Sequence, residues 1–200
     1  MNLVGIVGTN SERSTNRKLL RFMAEHFAPQ AAIEVLEIKD LPAFDEPENK
    51  KAPAAVVAFS KKIAAADGVI IATPEYNHTI PAPLASALEW IAYTSRVLVN
   101  KPVMIVGCSL GALGTSRAQA HLRQILDAPE LKARVMSGTE FFLGHSEHVL
   151  DDDFNLNNPE KVAELEEHFT EFQDFVTVTN QIVKQADTDR KKAFVWEAGE

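Results

Sequence analysis

Two hydrophobic periods divide the chain. Residues 3–7 form a short run of mostly branched apolar side chains that ends at Gly8. Residues 69–72 form a similar run between Asp67-Gly68 and Pro74, and residues 103–106 another, entered from Pro102. Unbroken runs of this length predict strands covered on both faces. Residues 33–38 instead alternate apolar and acidic positions, which predicts an edge strand with one wet face. A weaker fifth strand is expected around Val135.

Between these runs the period changes to three and four. Leu19, Leu20, Met23 and Phe27 predict a helix over 15–27, and Val56, Val57, Phe59 and Ile63 one over 54–66. Leu84, Leu88 and Ile91 predict a third over 83–93, and Leu122, Ile125 and Leu126 a fourth over 115–126. A long last helix is expected from about 159. There Asn158 suits the cap, Pro159 the first turn, and Val162, Leu165, Phe169, Phe172 and Val176 form the seam. Strand and helix alternate about five times, the pattern of an α/β, doubly wound, five-stranded parallel sheet with helices on both faces. The expectation is a single domain over 1–200. Ligands of such sheets bind at the carboxyl ends of the strands, near the switch point.

Composition adds exclusions. With 46% apolar and 24% charged residues, the chain has an ordinary globular balance. A net charge of −8 speaks against nucleic acid as partner. No apolar run approaches membrane-spanning length. Met1 and Asn2 lead directly into the first strand, without the layout of a signal peptide. The single cysteine, Cys108, leaves no internal disulfide to form. The expected location is cytoplasmic.

Three loops at the carboxyl ends of strands carry the unusual chemistry. The first, "GTNSERSTN" after residue 7, gathers Thr9, Ser11, Ser14, Thr15 and Asn16 around one cation, Arg13. It has neither G-x-G-x-x-G nor Gly-Lys-Ser/Thr. Hydroxyls and free amides at a helix start nevertheless make an anion site, and Arg13 adds a charge-assisted bond. Ordinary capping by Ser14 or Thr15 is the competing reading. The second loop, "TPEYNHTIPAPL", is stiffened by Pro74, Pro81 and Pro83, so it presents backbone groups at fixed positions, and Tyr76 adds an aromatic body. A rigid turn into the next helix explains it equally well. The third, "GCSLGALGTSRAQ", offers Gly107, Gly111 and Gly114 for close approach of a ligand, with hydroxyls at Ser109 and Thr115. Together the three predict one pocket with a phosphate end and a flat end.

In these loops the chain resembles the NADPH-dependent FMN reductase family, the flavodoxin-like NAD(P)H:acceptor oxidoreductases that include quinone, azo-dye and chromate reductases. "PEYN" followed by "IP" and "LxxALEW" is similar to one family segment, and "GCSLGALGTSRAQAHLRQIL" to another. "GTNSERSTNRKL" resembles the family's opening turn, with Ser11 where Arg is common and Arg13 two residues later. The resemblance spans residues 1 to about 135. It implies FMN as cofactor and NAD(P)H as co-substrate. It implies Thr9, Ser14 and Asn16 at the phosphate, with Ser11, Arg13 and Thr15 beside them. Pro74, Glu75, Tyr76 and Asn77 would border the isoalloxazine, with Ser109, Leu110, Gly111 and Gly114 on its other side. Hydride would pass from NAD(P)H to FMN and then to a quinone, azo compound, free flavin or similar acceptor, with no catalytic side chain.

Other residues read more plainly. Cys108 at a strand end reads as a small hydrophobe, His145 and His148 as part of a solvated loop rather than metal ligands, and His78 as a turn residue. A flavodoxin-type electron carrier is the competing function, and a flavin-free nucleotide hydrolase a weaker one. A homodimer, or a tetramer of dimers, is expected, because Trp90 and Tyr93 leave the apolar stripe of their helix and Phe175 that of the last one.

Overall fold

The computed structural model describes residues 1–186; residues 187–200 of the expected 1–200 domain lie outside the described part. Four parallel strands carry the sheet: β1 (Asn2–Val7), β2 (Ala32–Glu37), β3 (Gly68–Ala72) and β4 (Pro102–Cys108). β1 pairs with both β2 and β3, so Val4 lies between Glu34 and Val69. Parallel neighbours need crossovers, supplied by α1 (Thr15–His26), α2 (Ala54–Ala65), α3 (Ala82–Trp90) and α4 (Ser116–Leu126). The order is β2-β1-β3-β4, so the winding reverses between β1 and β3. β1, β3 and β4 are buried almost throughout, whereas β2 at the edge alternates, as its sequence predicts.

The fifth position is shared by two short strands. β5 (Arg134–Val135) pairs with the start of β4, and β6 (Phe141–Leu143) with its end. β6 is an addition to the five expected strands, which form the path of the sheet: three residues are too few to display a period. β6 has a consequence for the site, because it brings residues 143–146 to the carboxyl edge.

Two apolar layers sandwich the sheet. Leu19, Leu20, Met23 and Phe27 of α1 meet Leu165, Phe169 and Phe172 of α5 (Pro159–Ala186) on one face. Phe27 and Phe169 stack with centroids 3.8 Å apart. Phe59, Ile63, Leu84, Leu88, Leu122 and Leu126 fill the other face. Asn158 caps α5, its Oδ1 accepting from Lys161 N at 3.1 Å.

α3 stops at Trp90 and runs into a π-helical turn over Ile91–Ser95. Trp90 is 2% exposed, its Nε1 donates to Pro42 O at 2.9 Å, and Phe44 packs edge-on against it. Tyr93 is half-buried and donates to Pro47 O. The expectation that Trp90 and Tyr93 are free interface anchors is therefore corrected. The loop after β2 covers them, a contact between positions 46–48 apart in sequence. Phe175 is partly buried against the core. Among the described residues no helix is long and apolar enough to cross a membrane.

Candidate active site

At the switch point the backbones of β1 and β3 nearly touch. Gly8 N donates to Ala72 O at 2.8 Å, and a Cβ at Gly8 would stand 2.7 Å from that same oxygen. Only glycine allows this crossing, and it brings the loops after β1 and β3 side by side. Thr9 Oγ1 lies 3.4 Å from Tyr76 Oη. The loop after β4 joins them at Gly107, where a Cβ would collide with Thr115 Oγ1 at 1.9 Å and Thr73 O at 2.8 Å. The three loops singled out in the sequence thus form one surface.

The turn before α1 is built by its own side chains. Thr9 is buried and accepts from Ser11 N at 3.2 Å. Ser14 caps α1 by accepting from Arg17 N at 3.1 Å, so the ordinary capping reading holds for its side chain here. Asn16 is 1% exposed; its Nδ2 donates to Cys108 O at 2.9 Å and its Oδ1 accepts from Cys108 N at 3.0 Å. That side chain fastens β4 to α1, with one Nδ2 hydrogen and the Oδ1 committed to Cys108. The amides of Thr15 and Asn16 open the helix without intrahelical acceptors, and no acidic residue stands in the first turn to compete for them. Thr15 is half-buried, Ser11 partly so, and Arg13 exposed, without an ion pair to any described residue. Burial pushes the Cys108 thiol up to about 12, opposed by a hydrogen bond with Thr15, so this thiol stays protonated and inert.

Arg17 was not anticipated. It is 8% exposed, grips Glu37 through Nε and Nη2 at 2.6 and 2.8 Å, and donates from Nη1 to Ser11 O at 2.6 Å and Glu12 O at 3.3 Å. The hydrogen bonds it donates to Glu37 raise its pKa above the ordinary arginine value. A buried cation two residues beyond the hydroxyl cluster was the available signal.

The second loop is held from both sides. Pro74 is buried, its carbonyl accepting from Thr73 Oγ1. Glu75 caps α4: Oε2 accepts from Arg117 N at 3.1 Å and Ala118 N at 3.3 Å, while Oε1 meets Arg117 Nη1 at 3.0 Å. Its carboxylate is thus engaged at the start of α4. Tyr76 and Thr79 exchange backbone bonds at 3.0 and 3.1 Å around Asn77 and His78, both at positive φ (53° and 64°). That is a two-residue turn of the primed type, which Asn favours. The turn presents Tyr76, 48% exposed. Thr79 is hydrogen-bonded to His121.

In the third loop Ser109 closes its own turn, donating to Gly111 O at 2.9 Å and accepting from Gly114 N at 3.0 Å. Gly114, at φ 56°, is pressed against Phe142 of β6, so packing and backbone conformation alone demand a glycine there. Gly111 differs: a Cβ there would meet nothing within 4 Å. Leu110 and Leu113 are 60% and 51% exposed. Residues 143–146, of which the sequence singled out only His145 and that as part of a solvated loop, pin this loop through Ser109 N to Leu143 O and His145 N to Gly111 O. His145 and His148 lie with ring centroids 6.5 Å apart, and no described trio of His, Cys, Asp or Glu is placed to hold a metal.

The arrangement fits a flat molecule with a terminal phosphate. Amides at a helix start, with the Ser11 side chain beside them, mark one end; open space over Gly111, with Tyr76, Leu110 and Leu113 bare, marks the other. Over residues 1–148 the chain matches the NADPH-dependent FMN reductase description. It belongs to that family. Across 100% of both chains it is 54% identical to the NADH:(hydroxy)cinnamate reductase subunit CrdA of Vibrio ruber. It is 42% identical to the NADH-dependent flavin reductase subunit 2 of Lactobacillus johnsonii, over 88% of this chain and 97% of that one. Identity to the quinone reductase of Escherichia coli is 34%, over 76% and 81%. Among solved structures, the flavoenzyme NAD(P)H:(acceptor) oxidoreductase FerB from Paracoccus denitrificans has the same fold, with a TM-score of 0.70 over 92% of this chain and 97% of that one at 24% identity. This FMN reductase family member is an NAD(P)H-dependent oxidoreductase, and FMN and NAD(P)H are the cofactors that membership brings.

Proposed function

We propose that the chain, as one flavodoxin-like domain, binds FMN across the carboxyl edge of its sheet and passes hydride equivalents from NADH to a small conjugated acceptor. The observation that carries this is the meeting of the three loops at the switch point, with a phosphate-ready helix start at one end and open space over Gly111 at the other. Bound there, FMN supplies the two-electron chemistry, as a hydride acceptor towards the nicotinamide and a donor towards the substrate. The protein's work is placement. Thr9, Ser11, and the amides of Thr15 and Asn16 hold the phosphate, with Arg13 free to approach it. Pro74 and the Asn77 turn fix Tyr76, and Leu110 with Gly111 provides a flat apolar border that keeps water from the ring. No side chain is assigned a proton.

The names of the Vibrio ruber and Lactobacillus johnsonii relatives support NADH as donor, and (hydroxy)cinnamate, flavin and quinone mark the acceptor class. Both names also contain the word subunit, which favours a second reading in which electrons leave through a partner polypeptide, as in a carrier. We place the protein in the cytoplasm, as a homodimer, or a tetramer of dimers, unless such a partner replaces the second copy. Titrating the apo protein with FMN and FAD tests the placement. FMN binds more tightly if the turn at 9–16 encloses a terminal phosphate. FAD binding at least as tightly would refute that enclosure.

A further inference from the structure

We propose that Arg17 and Glu37 are a positioning pair, which turns the peptide groups of residues 11–13 towards the phosphate of bound FMN without touching it. The proposal rests on FMN lying at that turn. A cation in the first turn of α1 faces the wrong end of the helix dipole, so its burial there needs another cause. Its contacts supply one. Glu37, the last residue of β2 and the register partner of Val7, takes Nε and Nη2 in a two-point pair. That fork fixes the plane of the guanidinium and neutralises it. The remaining edge, Nη1, reaches the carbonyls of Ser11 and Glu12.

Peptide planarity carries the consequence. In a trans peptide the C=O of one residue and the N–H of the next point in opposite directions. With the carbonyls of Ser11 and Glu12 drawn to Arg17, the amides of Glu12 and Arg13 are aimed away from it, and neither belongs to a helix or strand. Arg17 thus supplies donors to an anion through the backbone, while its own charge is already met by Glu37. Arg13, exposed and without an ion pair among the described residues, is the residue placed for direct contact.

The test compares FMN with riboflavin, which lacks the phosphate, by flavin fluorescence on apo wild type, Arg17→Met, Arg17→Lys and Glu37→Gln, with urea midpoints of each apo protein. Arg17→Met is expected to raise the FMN Kd by about tenfold or more and the riboflavin Kd by less than about twofold. Arg17→Lys does not rescue it, because one ammonium cannot hold a carboxylate edge and two carbonyls in a plane. Should Arg17→Met fail to fold, the isosteric Glu37→Gln carries the test, with a smaller loss confined to FMN. Equal losses for both flavins, or an unchanged FMN Kd with a lowered urea midpoint, would make the pair purely structural. Wild type binding riboflavin as tightly as FMN would instead overturn the phosphate placement, and the pair's role with it.

Discussion

Gly111 is the residue where fold and ligand demands separate most cleanly. Its backbone is not in the left-handed region, and its Cβ position is open. Gly111→Val is therefore expected to leave the urea midpoint of the apo protein within about 0.5 kcal/mol of wild type. FMN affinity is expected to fall, because the branched side chain enters the space proposed for the ring. A stability loss with intact FMN affinity would make Gly111 an ordinary turn glycine. Cys108 gives a pH signature instead. Burial pushes its thiol well above the ordinary range, up to about 12, so the folded state holds the proton more tightly than the unfolded chain. Its contribution to stability is whole below about pH 9 and is lost as pH rises towards 12. Urea midpoints measured from about pH 8 to about pH 10.5 are expected to fall more steeply for wild type than for Cys108→Ala. Parallel slopes would contradict the buried, neutral thiol.

Among elements, the β-runs were legible because β1, β3 and β4 are buried on both faces and their sequences have no polar interruptions. α3 was legible as a helix, but its end was not. The π-helical turn at Ile91–Ser95 and the cover over Trp90 depend on a loop far away in sequence. The site loops were legible as places, because glycines, prolines and hydroxyls stand at strand ends. Several of their side-chain duties were not. Asn16 was expected at the phosphate, yet its side chain clamps Cys108, 92 positions away, and Glu75 caps a helix 42 positions on. Such partners leave no local period. The cap makes a prediction for α4: Glu75→Ala costs about 1 kcal/mol of stability, read as a lowered urea midpoint, since Arg117 N and Ala118 N lose their acceptor. Unchanged stability with weakened FMN binding would return the Glu75 carboxylate to the ring.

For the whole molecule, covering Trp90 changes how assembly is tested. The large apolar side chains exposed among the described residues are Met1, Tyr76, Leu110, Leu113, Val178 and Ile182, of which Tyr76, Leu110 and Leu113 border the proposed flavin site. Light scattering is expected to give a mass above the 22.0 kDa of one chain. Trp90→Glu is expected to lower the stability of the fold itself by about 3–5 kcal/mol, rather than release intact subunits. A 22.0 kDa species with full activity would contradict the assembly, and a stable, dissociated Trp90→Glu protein the intrachain cover.

Reactivity at the carboxyl edge is the central claim, and anaerobic mixing with NADH tests it most directly. Protein loaded with FMN is expected to lose its visible flavin absorbance on mixing and to recover it when a quinone is added. Flavin that stays oxidised in NADH, yet is reduced by dithionite, would contradict the account and leave an electron carrier in its place.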